Sequence, residues 1–162
     1  MPPGASSWTF TDDDFGALTH VLQRFLFDSS ARCALLVDRS GQLVTLAGDR
    51  PTFDVTAFAT LTAADFSANA QLARLIGETD FNTLFHQGER ESMLLADVAR
   101  RMILVALFDQ RTTLGLVRLK MKGVVDDLGR LLEVAMQRQL AAPPQRPPLL
   151  GDADDEIDRL FR

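Results

Sequence analysis

Apolar residues along this chain recur at two different spacings, and the spacing separates helices from strands. Phe15, Leu18, Leu22, Phe25 and Leu26 lie three and four apart, which predicts an amphipathic helix up to about Phe27. Asp12, Asp13 and Asp14 stand at its positive end, and Asp28-Ser29-Ser30 closes it. Arg32 to Val37 is a short apolar run that predicts a buried strand. Asp38-Arg39-Ser40-Gly41 has turn chemistry, and Gln42 to Leu46 predicts the returning strand of a β-hairpin. Gly48-Asp49-Arg50-Pro51 leads to a long helix. After it come three more predicted strands, Asn82–Gln87, Ser92–Val98 and Met102–Phe108, with tight connections that favour antiparallel pairing. The last of these is apolar on both faces, as expected of a central strand covered by helices on each side. Thr112 or Thr113 can cap a final helix whose stripe is Val117, Met121, Val124, Leu128, Leu131 or Leu132, and Ala135. Gly115, Gly123 and Gly129 lower its propensity, so packing must hold it.

The long helix, Asp54 to Gly77, is the least ordinary element. Asp54 can cap its start, and Gly77 is a plausible stop. Val55, Phe58, Leu61, Ala64, Ala68, Leu72, Leu75 and Ile76 gather on one side, which is expected to face the core. Ala59, Ala63, Phe66, Ala70 and Ala73 form a second row well away from the first. That row reads as a flat seam for another protein chain, with Phe66 as its bulky anchor. Helix propensity alone would also favour alanines here.

Beyond this domain, expected over residues 10–140, Ala141 to Pro148 holds four prolines, a stiff linker that reaches roughly 25 Å. The linker is taken as 141–150. The stretch 151–162 follows as a flexible acidic tail in which Ile157, Leu160 and Phe161 make a small apolar face at i, i+3 and i+4. This is the pattern of a docking peptide, and equally of an acidic tail with incidental hydrophobes; it is too short to fold by itself.

Charge and chemistry narrow the function classes. A net charge of −5 argues against nonspecific binding to nucleic acid or anionic membranes. Cys33 is the one cysteine, so no internal disulfide is possible and a reducing, cytoplasmic setting is expected. The first residues lack a signal-peptide pattern, and no apolar run approaches bilayer length. No metal-ligand spacing and no glycine-rich phosphate cradle occurs, so neither metal nor nucleotide cofactor is expected. Cys33, with His20 or His86 as base, would make a nucleophile only in principle, because it heads an apolar strand. The residues describe a binding module without an active site of its own.

Ordered blocks of the sequence resemble a known family. They are Leu35-Leu36-Val37-Asp38-Arg39-Ser40-Gly41-Gln42-Leu43-Val44, Leu61-Thr62-Ala63, Leu72-Ala73-Arg74-Leu75-Ile76-Gly77-Glu78, Phe85-His86-Gln87-Gly88, Phe108 to Arg118, and the tail ending Glu156-Ile157-Asp158-Arg159-Leu160-Phe161. Together they look like a bacterial Roadblock-domain protein of the MglB type over most of residues 10–162. The resemblance implies an α+β Roadblock fold within the α/β class: a five-stranded antiparallel sheet between helices, in the order α-β-β-α-β-β-β-α.

It also implies a cytoplasmic homodimer, joined by central helices and an edge strand, that binds one Ras-like small GTPase of the MglA type and serves cell polarity or motility, with enrichment at a cell pole. Such regulators activate GTP hydrolysis by repositioning the GTPase's own residues and supply no arginine finger. Arg100, Arg101, Arg111 and Arg118 are therefore poor candidates for catalysis in trans. On this reading Ala59, Thr62, Ala63, Phe66, Ser67, Asn69, Ala70, Gln71 and Ala73 carry the dimer or partner contact. Asp155, Ile157, Leu160 and Phe161 dock the tail on the GTPase, where it can promote nucleotide exchange. Phe66, Asn69 and Gln71 depart from the small residues of the family's seam, so partner choice or potency is open. The alternatives are a non-activating scaffold and, from another class, a PAS-like ligand sensor.

Overall fold

A computed structural model describes residues 9–141 and Leu160. Its elements are α1 (Asp12–Ser29), β1 (Cys33–Asp38), β2 (Leu43–Gly48), α2 (Val55–Leu75), β3 (Thr83–His86), β4 (Ser92–Val98), β5 (Met102–Phe108) and α3 (Leu114–Ala141). The predicted order of elements is found, and β4 and β5 keep their predicted bounds. Except for Ala141 and Leu160, the linker and the tail peptide lie outside the described residues.

Five strands form one antiparallel sheet in the order β2-β1-β5-β4-β3. Every residue of β5 is buried, as its two-faced apolar sequence requires of a central strand. Alternation along the strands sends side chains to two cores. Leu36, Leu94, Leu104 and Ala106 point to the face covered by α1 and α3, where Leu18, Leu22, Phe25, Met121, Leu128 and Leu132 meet them. Leu35, Val37, Leu95, Ile103 and Val105 point to the opposite face, where Ala59 and Phe66 of α2 meet them. Two helices thus cover one face and a single helix the other.

Local chemistry explains the ends of the elements. Thr11 caps α1 in a capping box: its hydroxyl accepts from the Asp14 N–H at 3.2 Å, and the Thr11 N–H donates to Asp14 Oδ2 at 2.9 Å. Ser30 ends that helix in a left-handed conformation, its N–H donating to the Leu26 carbonyl. In the β1–β2 turn, Asp38 Oδ1 accepts from the backbone of Ser40 and Gln42 and from the Ser40 hydroxyl. Gly41 has φ +95°, and a Cβ there would come within 3.1 Å of Thr60 Cα, so only glycine lets this turn lie on α2. Ala99 and Arg100 both take positive φ, the twist that joins β4 to β5 in a tight hairpin.

Candidate interaction surface

Helix α2 starts where Asp54 caps it, Oδ1 accepting from the Ala57 N–H at 3.2 Å, and it ends before Gly77 at φ +85°. Of the row predicted to face the core, Val55 and Phe58 do pack against it, but farther along the helix the two rows are exchanged. Ala59, Thr62, Phe66 and Ala73 are buried in their own chain. Leu61, Leu72, Leu75 and Ile76 are instead 68, 53, 83 and 70 % exposed, and Ala64 and Ala68 beside them are exposed too. Alanines carry no bulk past Cβ, so the helix backbone can settle closely on the sheet, with Phe66 filling the deeper space. The longer leucines are left for a neighbour that the chain does not itself supply.

The residues expected to carry contact therefore divide. Ala59, Thr62, Phe66 and Ala73 present almost no accessible surface, a correction to their reading as an outward seam. Phe66 does not face outward; the Arg39 guanidinium lies 4.9 Å from its ring centroid. Ala63, Asn69 and Ala70 are half-buried, and Ser67 and Gln71 are exposed on the flank of the leucine face. Asn69 Nδ2 donates to the Asp65 carbonyl at 2.8 Å and to Asp65 Oδ1 at 2.9 Å. Asp65 Oδ2 lies 2.8 Å from His86 Nε2, which ties α2 to strand β3. Leu61, Ala64, Ala68, Leu72, Leu75 and Ile76, expected to face the core, are thus surface residues of the single chain, and apolar spacing on both sides of the helix gave no signal to tell the two faces apart.

Strand β3 adds a second open feature beside α2. It lies last in the sheet order, so one of its edges has no strand partner among the described residues. The Asp65–His86 contact brings this strand to the helix that carries the exposed leucines.

The candidate chemical groups are occupied structurally. Arg111 makes a two-pronged contact with Asp109, Nε to Oδ1 at 3.2 Å and Nη2 to Oδ2 at 3.1 Å. These bonds hold the Asp109 carboxyl below the usual carboxylate range. Cys33 is buried at 4 % exposure, and burial, aided by Asp49 and Glu91, pushes its thiol up to about 11. A thiol in that state is a poor nucleophile. Among the described residues no group of three or more His, Cys, Asp or Glu is arranged to hold a metal, and no helix is long and apolar enough to cross a membrane.

The Roadblock/LC7 domain model matches residues 18–108, from within α1 to the end of β5. The chain belongs to the Roadblock/LC7 family. Within it, the chain is MglB-like: it is 41% identical to Myxococcus xanthus MglB over 72% of this chain and 95% of that one, with a TM-score of 0.70. An MglB described with a tetrameric arrangement is 31% identical over 82% and 99% of the two chains, with a TM-score of 0.76. The gliding protein MglB of Thermus thermophilus is 31% identical over 80% and 98%, with a TM-score of 0.74. Profilin IA of Acanthamoeba castellanii, 13% identical, shares the fold alone. Comparison with curated protein sequences gave no match. In this Roadblock domain the exposed α2 face is the feature that needs a function.

Proposed function

We propose that this chain is a homodimeric regulator of a small Ras-like GTPase of the MglA type. The observation that carries the reading is the uncovered α2 face of Leu61, Ala64, Ala68, Leu72 and Leu75 beside the open edge of β3. Fully burying one such leucine stabilises an assembly by about 1.5–3 kcal/mol before association costs. Two copies would join across this face and continue their sheets through β3 edges. Ser67 and Gln71, on its flank, stay in the proposed contact, and Ala63, Asn69 and Ala70 border it.

The GTPase would sit across the paired α2 helices, two regulator subunits to one GTPase. The likeness to MglB proteins at 31–41% identity supports this partner class. Hydrolysis would be accelerated by moving the GTPase's own residues. Arg111 bound to Asp109 supports the absence of an arginine finger. The tail residues Asp155, Ile157, Leu160 and Phe161 would dock on the GTPase and promote exchange. The Thermus relative is named a gliding protein, which supports a role in motility or polarity.

Phosphate release from GTP-loaded cognate GTPase, followed with increasing regulator, tests the reading. Acceleration that saturates is expected. Binding without acceleration at saturating dimer would replace the activator with a scaffold, and no binding would remove the GTPase altogether.

A further inference from the structure

On the face of the sheet opposite α2, helix α3 does not reach across to β3. Two hollows of about 650 and about 540 Å³ lie along its flank and share Ala99, Val125 and Asp126, so they form one groove between α3 and the strands. Its floor is apolar, with Leu94, Met121 and Val125 toward β3 and Leu132 and Met136 toward the end of α3. Arg118 and Lys122 line the β3 end and make no ion pair among the described residues. Asp97, held by Arg39, lies at the β3 end too, Asp126 lies where the two hollows meet, and Glu133 lies toward the other end with Arg101 and with Arg130, which is held by Asp127. The groove thus offers the cations Arg118 and Lys122 at one end and the carboxylate Glu133 at the other.

The chain carries a peptide of matching polarity. Asp152, Asp154, Asp155 and Glu156 come first, then Ile157, Leu160 and Phe161, with Arg159 and Arg162 at the far end. Leu160 is helical and 80 % exposed, so its side chain is not taken up elsewhere in the fold.

We propose that this groove receives the chain's own C-terminal peptide, in exchange with a released state in which Leu160 is exposed. The lengths agree. From Ala141 back to Lys122 along α3 is about 28 Å at about 1.5 Å per residue. The proline-rich segment before Gly151 can span about 31 Å at about 3.1 Å per residue. The peptide then runs parallel to α3. As a helix it extends about 16 Å, the same as the distance from Lys122 to Glu133. This orientation sets the acids against Arg118 and Lys122 and returns Arg159 and Arg162 to Glu133, with the three apolar residues over the floor. A peptide held this way is withheld from any other partner. The inference does not depend on the GTPase reading.

The test uses the full chain with a nitroxide attached at Arg162→Cys; the buried Cys33 does not compete for the label. Loss of the Val125, Met121 and Met136 methyl signals, with those of Leu61 and Leu72 retained, is expected. Replacing both Leu160 and Phe161 by Asp, or reversing Arg118 and Lys122 to Glu, should restore the lost signals, and raised salt should restore them in part. Equal loss on both faces, no loss, or loss unaffected by these replacements overturns the proposal. So does equal loss when the nitroxide chain is mixed with an isotope-labelled chain lacking it, because the peptide would then come from a second copy.

Discussion

Arg39 lies over the ring of Phe66 at 4.9 Å from the centroid, and the same guanidinium pairs with Asp97. The Arg39 N–H also donates to the Arg101 carbonyl at 3.2 Å. One residue of the β1–β2 turn thereby connects α2 with the β4–β5 turn. The guanidinium is exposed, and a cation so placed over a ring adds roughly 0.5–1 kcal/mol to what packing supplies.

Phe66→Ala should destabilise the fold by about 3–5 kcal/mol, since the ring is 4 % exposed. Arg39→Ala should cost about 1 kcal/mol, and the double variant should cost less than the two together by about 0.5–1 kcal/mol. Urea unfolding of all four proteins measures the coupling. Strict additivity would remove the cation from the account.

Leu72→Arg, alone or with Leu75→Arg, should yield folded monomers, because both positions are exposed in the single chain. Light scattering reports mass, and circular dichroism reports the fold. Ala59→Arg should instead unfold the protein, since Ala59 has no exposed surface. If the leucine variants keep the mass of the parent dimer, the proposed α2 contact is wrong.

Cys33 should resist thiol reagents at pH 8. Burial pushes its thiol up to about 11, so the thiolate is scarce and the sulfur is covered. Its modification rate should follow global unfolding as urea rises. Fast reaction in native buffer would contradict the packing of β1.

The Asp14 carboxyl is pushed up by burial, but bonds from the Thr11 N–H, Arg138 and the Thr11 hydroxyl outweigh this and hold it below its ordinary 3.8. The unfolded chain therefore takes up the proton first. The cap's contribution is complete above that value and is lost as pH falls through the lower folded value. Below about pH 4, the stability of Asp14→Asn should fall less steeply with acid than that of the parent. Identical slopes would show that the capping carboxylate contributes nothing to acid sensitivity.

Much of the fold was legible in the order of residues because local rules act over a few positions. Short apolar runs mark Ser92–Val98 and Met102–Phe108, spacing of three and four marks the stripe Leu18-Leu22-Phe25, and Asp54 caps its helix through a bond three residues away. The face of α2 that turns inward was not legible. Both faces are apolar, so hydrophobicity says that each must be covered and leaves open by what. Only the assembled sheet seats Ala59, Phe66 and Ala73 inside and leaves Leu61, Leu72, Leu75 and Ile76 outside. The groove beside α3 is likewise tertiary, since β3 and α3 are brought together by a sheet order that no local spacing encodes.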